Sequence, residues 1–280
     1  MNYKDFSSLI EAAPKSGQHN YLGVIAPNEA AVEAAKQAER LGLATAVFFE
    51  GSSAAEAAAN AVSAVKRGEI QMLIKGNIDT AMLMKAILHP HSGLSHDQLL
   101  SHLAMFSLPS YAKLIALTDG GLVIRPTFEE KKGILQNAIS AIRKLGITRP
   151  KVACLSAIET VNPKMADTVD ARHLKELGDA GFFGECIIEG PISLDLALSH
   201  HAAEVKNFYS EVAGDADLLF VPDITAGNLL GKSLVYTGNA EMAGVILGTQ
   251  CPVIVTSRVS SANERLNSIA LAALLAAASD

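Results

Sequence analysis

The sequence predicts an α/β protein of two domains, each with a mainly parallel sheet flanked by helices. Short apolar runs alternate with longer alanine-rich amphipathic segments, which is the order of strands and helices in such folds. The length of 280 residues suits two domains or one large one. The stretch Gly146-Ile147-Thr148-Arg149-Pro150 has the composition of a linker. We expect a discontinuous first domain, residues 1–146 and 237–280, and a second domain, residues 147–236.

The individual elements follow from apolar periodicity and from helix-capping residues. Strands are predicted at 21–25, 44–49, 71–74, 113–118, 151–156, 184–188, 217–221 and 252–256. Helices are predicted at 5–12, 28–41, 54–67, 80–88 and 127–145, with a last one that opens at Ser261. The first strand, helix and second strand form a βαβ unit. Its first turn reads Ala-Pro-Asn-Glu-Ala-Ala and lacks the glycine-rich dinucleotide fingerprint, so a Rossmann-type oxidoreductase is not expected.

Composition excludes several classes of protein. With 49% hydrophobic and 19% charged residues the chain can bury a large core, and its net charge of -6 argues against a general binder of nucleic acid or membrane surfaces. The three isolated cysteines, Cys154, Cys186 and Cys251, indicate buried thiols in a reducing compartment. The N-terminus has no signal-peptide layout and no apolar run is long enough to span a bilayer. We therefore expect a cytoplasmic protein.

Polar side chains recur where the predicted strands end. These positions are Lys75, Asp119, Glu159, Asp223 and Ser257-Arg258. Ligands of open parallel sheets bind at the carboxyl ends of strands, so these groups would line one edge. Each of them alone could be a helix cap or a solvated loop charge.

The stretch Cys251–Glu264 carries the strongest local signal for a site. A buried strand ends there at Ser257-Arg258, which places a hydroxyl and a guanidinium at a strand end, where they suit a phosphate or a carboxylate. The plainer interpretation is a loop serine and a surface arginine, followed by a capping box of Ser261 and Glu264.

Two further patterns have plainer explanations. Residues 226–233 match a loose Walker A pattern with alanine for the first glycine, which leaves a P-loop NTPase as a remote alternative. Asn228 and Lys232 within it would suit an anion in either case. The histidines at 89, 91, 96 and 102 are interpreted as loop residues rather than metal ligands.

Motifs in order along most of the chain, from Lys75 to the C-terminus, carry a resemblance to a known family. They are Lys-Gly-Asn-Ile-Asp-Thr at 75–80, Ser-His at 101–102, Thr-Asp-Gly at 118–120, Gly-Pro-Ile-Ser-Leu-Asp at 190–195, Pro-Asp-Ile-Thr-Ala-Gly-Asn-Leu-Leu-Gly-Lys at 222–232, and the strand that ends in Ser-Arg at 257–258. With these motifs the chain resembles the phosphate acetyl/butyryl transferases, and more closely their butyryltransferase branch.

The resemblance implies a two-domain fold like that of isocitrate and isopropylmalate dehydrogenases, with the active site in the interdomain cleft. It implies reversible transfer of an acyl group between coenzyme A and inorganic phosphate, most simply butanoyl-CoA plus phosphate giving butanoyl phosphate plus coenzyme A. The acetyl reaction is the closest alternative, and a non-catalytic coenzyme A-binding protein is a more remote one.

The resemblance also implies roles for particular residues. Ser257 and Arg258 would act at the thiol and the acyl phosphate, and a nearby carboxylate would act as base. The acetyltransferase branch has an aspartate seven residues after its serine, which corresponds here to Glu264. In the butyryltransferase branch the acidic residue falls one position earlier, where this chain has Asn263. Substrate binding is expected from the residues Lys75, Thr80, Asp119, Asn228 and Lys232.

The same resemblance implies partners. We expect acyl-CoA and phosphate as substrates, a homodimer, and functional coupling to an acyl kinase that consumes the acyl phosphate. Neither a metal nor a permanently bound cofactor is expected, because coenzyme A enters as a substrate.

Overall fold

The computed structural model describes residues 3–17, 19–90, 93–94, 99–257 and 260–277. Numbered in chain order, the strands are β1 Tyr21–Ile25, β2 Thr45–Phe49, β3 Met72–Lys75, β4 Ser101–Ser107, β5 Ile115–Thr118, β6 Lys151–Leu155, β7 Ile187–Ile192, β8 Leu218–Phe220, β9 Glu241–Leu247 and β10 Val253–Ile254. The helices are α1 Phe6–Ala12, α2 Glu29–Arg40, α3 Ala54–Lys66, α4 Thr80–Ile87, α5 Phe128–Lys144, α6 Ala166–Asp179, α7 Leu194–Leu198, α8 His200–Val205, α9 Ile224–Tyr236 and α10 Ala262–Ala277. The predicted α/β class with mainly parallel strands is confirmed.

The chain divides into two compact units. The terminal unit comprises Asp5–Leu100 and Glu241–Asp280, and the central unit comprises Met1–Lys4 and Ser101–Ala240. The chain therefore passes between the units near residues 100 and 240, whereas the sequence suggested 146 and 236. The expected linker at 146–150 joins α5 to β6, and both of these elements belong to the central unit.

In the terminal unit the strand order is β2-β1-β3-β10-β9. All neighbours are parallel except β9, which runs antiparallel to β10. Helix α10 is buried along its length from Leu266 to Ala276, because its alanines and leucines contact α1, α2 and β9 at once. A helix that is apolar all round belongs in a core.

In the central unit the strand order is β4-β5-β8-β6-β7. Only β4 and β5 are antiparallel. The strand predicted at 184–188 was expected to end before Gly190-Pro191. This is wrong, because both residues lie inside β7. Since β7 is the last strand in this order, a proline that cannot donate a hydrogen bond is tolerated there.

Four ionic side chains are tied together at the amino ends of the central strands. Lys113 contacts Asp217 at 2.5 Å and Asp215 at 2.8 Å, and Lys151 contacts Asp215 at 2.6 Å. They lie at the edge opposite to the one where ligands of parallel sheets bind, so their role is structural.

None of the helices within the described ranges is long and apolar enough to cross a membrane.

Candidate active site

The terminal unit contains a cleft of about 360 Å³ at the carboxyl ends of β1, β3 and β10. The loop after each of these strands contributes to its lining, which also includes the first residues of α2, α3 and α4. The polar residues of the lining are Asn28, Lys75, Asn77, Asp79, Thr256, Ser257 and Arg265, and the larger apolar ones are Ile78 and Met82. The structure thus brings two of the predicted site residues, Lys75 and Ser257, into one cleft.

The turn after β3 is fixed by backbone contacts. The N–H of Gly76 donates to the carbonyl of Ile25 at 2.9 Å, and the N–H of Asn77 donates to the carbonyl of Ala26 at 2.6 Å. A Cβ atom on residue 76 would overlap the Ala26 carbonyl, so only glycine allows this approach. The lysine that precedes it is therefore held next to the end of β1.

Helix N-termini make the cleft favourable for anions. The side chain of Asn28 accepts from the N–H of Ala31 at 2.9 Å and starts α2, while Ser53 starts α3 in the same way. The first turns of both helices line the cleft, together with that of α4. The amino ends of helices carry partial positive charge, which adds to the charge of Lys75 and Arg265.

Ser257 lies shortly after β10, beyond Val255 and Thr256, and is exposed. The predicted partner Arg258 lies outside the described residues, so its role stays a prediction. One of the two hydrogen bonds of the predicted capping box is confirmed. The hydroxyl of Ser261 accepts from the N–H of Glu264 at 3.1 Å, but the Glu264 carboxylate accepts from the hydroxyl of Ser260 at 2.5 Å instead of turning back to Ser261.

Arg265 lines the cleft and was missed in the sequence. Its Nη1 donates to the carbonyls of Ser260 and, at 3.3 Å, Ser261, and its Nη2 lies 3.5 Å from the carbonyl of Ser257. No motif marks this arginine, because its partners are backbone carbonyls that leave no trace in the sequence. Thr80, by contrast, is the exposed first residue of α4 and does not line the cleft.

In the central unit Asp119 is buried and organises the turn after β5. Its Oδ1 accepts from the backbone N–H groups of Gly121 and Leu122, both at 2.8 Å. Its Oδ2 accepts from the backbone N–H groups of His102, at 2.9 Å, and Val123, at 3.4 Å. A carboxylate has about four acceptor sites, and these bonds use them within the protein. Any effect of Asp119 on a ligand therefore passes through the turn that it shapes.

Asn228 and Lys232 are exposed one turn apart on α9. The Asn228 amide lies 3.4 Å from the carbonyl of Gly120, and a Cβ on Gly227 would lie 2.6 Å from the Cα of Gly120. The start of α9 thus packs on the turn that holds Asp119. The P-loop alternative is wrong, since its key segment is helix and its inner N–H groups are not free to wrap a phosphate.

The predicted strand end at Glu159 is also engaged within the protein. Its carboxylate accepts from the hydroxyl of Ser193 and from Lys206, which lies at 3.1 Å. The bond from Ser193, aided by Lys206, lowers the pKa of Glu159. Lys206 also pairs with Asp195 at 3.0 Å, so the cluster ties the loop after β6 to α7.

His102 was interpreted as a loop residue, which is wrong, because it is part of β4. Burial lowers the pKa of its imidazole, and the charge of Asp119 opposes this only in part. Its Nδ1 is buried without a hydrogen-bond partner among the described residues. His91 and His96 lie outside those residues. Within the described part of the chain, no three His, Cys, Asp or Glu side chains form a group that could hold a metal ion.

The cysteines are poor nucleophiles. Burial raises the pKa of Cys251 to about 12 and raises that of Cys154 as well, and half-burial raises the pKa of Cys186. These thiols therefore stay protonated at neutral pH and provide no thiolate for a covalent step.

Comparison with known proteins decides the family. The sequence model of the family described as phosphate acetyl/butaryl transferase matches residues 27–273. The chain belongs to this family. The resemblance carried by the motifs is therefore confirmed, and the chain is a phosphate acyltransferase.

Individual relatives of the transferase agree with this. The probable phosphate butyryltransferase of Bacillus subtilis (strain 168) is 45% identical over 217 residues, which are 78% of this chain and 73% of the relative. The phosphate butyryltransferase of Clostridium acetobutylicum is 34% identical and covers 98% of both chains. The crystal structure of a branched-chain phosphotransacylase from Enterococcus faecalis V583 is similar with a TM-score of 0.84 at 34% identity, over 92% of this chain and 99% of that one. The non-catalytic alternative has no support among these relatives.

Proposed function

We propose that the transferase moves a short-chain acyl group reversibly between coenzyme A and inorganic phosphate, with butanoyl-CoA as its preferred acyl donor. The observation that carries this preference is that relatives named phosphate butyryltransferase match along nearly the full length of both chains. The cleft of the terminal unit supports the phosphate side of the reaction, because a lysine, an arginine and three helix N-termini surround it.

The reaction is proposed to occur directly between the two substrates. A phosphate oxygen attacks the carbonyl carbon of the thioester, and the carbonyl oxygen becomes an oxyanion. The C–S bond then breaks, and coenzyme A leaves as a thiolate that takes up a proton. In the reverse direction a carboxylate removes the proton from the thiol, which attacks as thiolate. The protonated state of the buried cysteines argues against an acyl-enzyme intermediate on sulfur.

Each predicted site residue receives a role in this proposal. Arg258 holds phosphate and, with the hydroxyl of Ser257, stabilises the oxyanion. Glu264 is the base for the thiol, and Lys75 contributes charge at the cleft. The residues proposed to bind coenzyme A or phosphate further from the reacting atoms are Thr80, Asn228 and Lys232. Asp119 is proposed to contribute to substrate binding indirectly, through the turn that it shapes.

The finer features implied by the resemblance are proposed with the function. They are an isocitrate/isopropylmalate dehydrogenase-like arrangement with the active site in an interdomain cleft, a homodimer, a cytoplasmic location, and independence of metals and bound cofactors. An acyl kinase is the expected functional partner, because an acyl phosphate is a reactive product that a kinase can use to form ATP.

The acetyl reaction remains the second candidate, since the matching family includes acetyltransferases as well. The two differ in how much apolar surface the acyl chain can bury, and one methylene changes discrimination by about 1–3 kcal/mol, or about tenfold or more. We would compare kcat/KM for acetyl-, propanoyl-, butanoyl- and 2-methylpropanoyl-CoA at saturating phosphate. A maximum at butanoyl-CoA is expected, and a maximum at acetyl-CoA would reject the preference.

A further inference from the structure

Arg265 occupies an unusual place for a cation. It is the fourth residue of α10, and positive charge near a helix N-terminus is opposed by the helix dipole. No carboxylate of the described residues lies within ion-pair distance of its guanidinium. Instead the side chain turns back toward the start of the helix, where it meets the carbonyls of Ser257, Ser260 and Ser261.

The three carbonyls belong to the loop between β10 and α10. One precedes Arg258 in the chain and two follow it, so the guanidinium ties together both sides of the segment that carries this residue. A planar guanidinium with five donors can meet several acceptors in fixed directions, whereas an ammonium is a single point with three rotatable donors. The geometry therefore uses a property that lysine lacks.

We propose that Arg265 is a positioning residue, which holds the carbonyls of Ser257, Ser260 and Ser261 so that Ser257 meets the substrates in the cleft. This inference rests on the proposed function, which gives Ser257 its role. Arg265 acts through the backbone of the loop and does not itself touch the reacting atoms. Its loss should lower kcat more than it raises KM, because misplacement of reacting groups affects the transition state most.

The test compares Arg265→Ala and Arg265→Lys with Arg40→Ala. Arg40 is an exposed arginine of the same unit that pairs only with Glu33, at 3.1 Å, and is a matched control. Phosphate-dependent release of coenzyme A thiol from butanoyl-CoA would be measured with and without methylguanidinium. We expect kcat to fall at least tenfold in Arg265→Ala, to recover in part with methylguanidinium, and to remain reduced in Arg265→Lys. Full kcat in either Arg265 variant would overturn the inference, as would a loss that methylguanidinium does not relieve.

A second readout does not depend on activity. Trypsin cuts after arginine. Loss of the hydrogen bonds from Arg265 should therefore speed cleavage after Arg258, which mass spectrometry detects as fragments 1–258 and 259–280. At least tenfold faster cleavage in Arg265→Ala than in wild type and Arg40→Ala is expected, and equal rates would overturn the inference. If the wild type released no thiol, the proposed function would fail, while the cleavage rates would still decide whether Arg265 fixes the loop.

Discussion

At the scale of single residues, Glu264 stands at a helix cap and is also the proposed base. Its backbone N–H is capped by Ser261, while its carboxylate is left to accept from Ser260. The cap therefore does not need the carboxylate. This separates the structural interpretation of Glu264 from the catalytic one and allows each to be tested alone.

We predict that Glu264→Gln lowers kcat for butanoyl-CoA formation from butanoyl phosphate and coenzyme A by about 10²-fold or more, as expected when the thiol loses its general base. Helix α10 should keep its stability, because the bond from the Glu264 N–H to Ser261 survives. Steady-state kinetics and thermal unfolding would be measured together. Ser260→Ala is the control, since it removes the hydroxyl partner but keeps the carboxylate, and it should retain most activity. A kcat within threefold of wild type in Glu264→Gln would assign the base to another residue.

At the scale of elements, strands between clear turn signals were predicted well from the sequence, whereas a helix that contains glycines was not. The first strand was predicted at its observed bounds because five apolar residues stand between turn signals. Strand β4 was missed, since its apolar run is short and is preceded by serine and histidine. No helix was predicted over α9, whose residues 226–233 matched a loose Walker A pattern, yet Gly227 is what lets the helix approach Gly120. Such tertiary contacts override local propensity.

The ionic cluster at the amino ends of β5, β6 and β8 predicts a pH dependence. Burial raises the pKa of Asp215, but hydrogen bonds from Lys113 and Lys151 outweigh it and hold the pKa below its usual range. A depressed carboxylate pKa stabilises the fold above the unfolded value of about 3.9, and this contribution is lost as the pH falls through the folded value.

We therefore predict that Asp215→Asn lowers the free energy of unfolding at pH 7 by about 1 kcal/mol or less, because its side chain is 40% exposed. The difference from wild type should shrink as the pH falls below the unfolded value of about 3.9 and through the lower folded value. Urea unfolding across this range measures it, with the exposed Asp179→Asn as control. A difference that stays constant with pH would show that the charge of Asp215 is not the cause.

At the scale of the whole molecule, the family and the chemistry were predictable, but the division of the chain was not. Some of the motifs that mark the family, such as Lys75-Gly76 and Thr118-Asp119, lie where strands end, and local patterns reveal such positions. The unit boundaries near residues 100 and 240 fall just before β4 and β9, and no strand was predicted from the sequence at either place. The sequence likewise found Lys75 and Ser257 but not Arg265, which is joined to the site through backbone carbonyls.

The measurement that tests the central claim is phosphate-dependent release of coenzyme A thiol from butanoyl-CoA by wild type and Arg258→Ala, without added metal. Arg67→Ala, an exposed arginine of the terminal unit paired with Glu69, is the control. We predict rapid release that requires phosphate. The rate should fall by about 10²-fold or more in Arg258→Ala, as for loss of one oxyanion donor, and should not change in the control. Absence of release from any acyl-CoA, or equal release by Arg258→Ala, would contradict the assignment of this cleft as the site of acyl transfer.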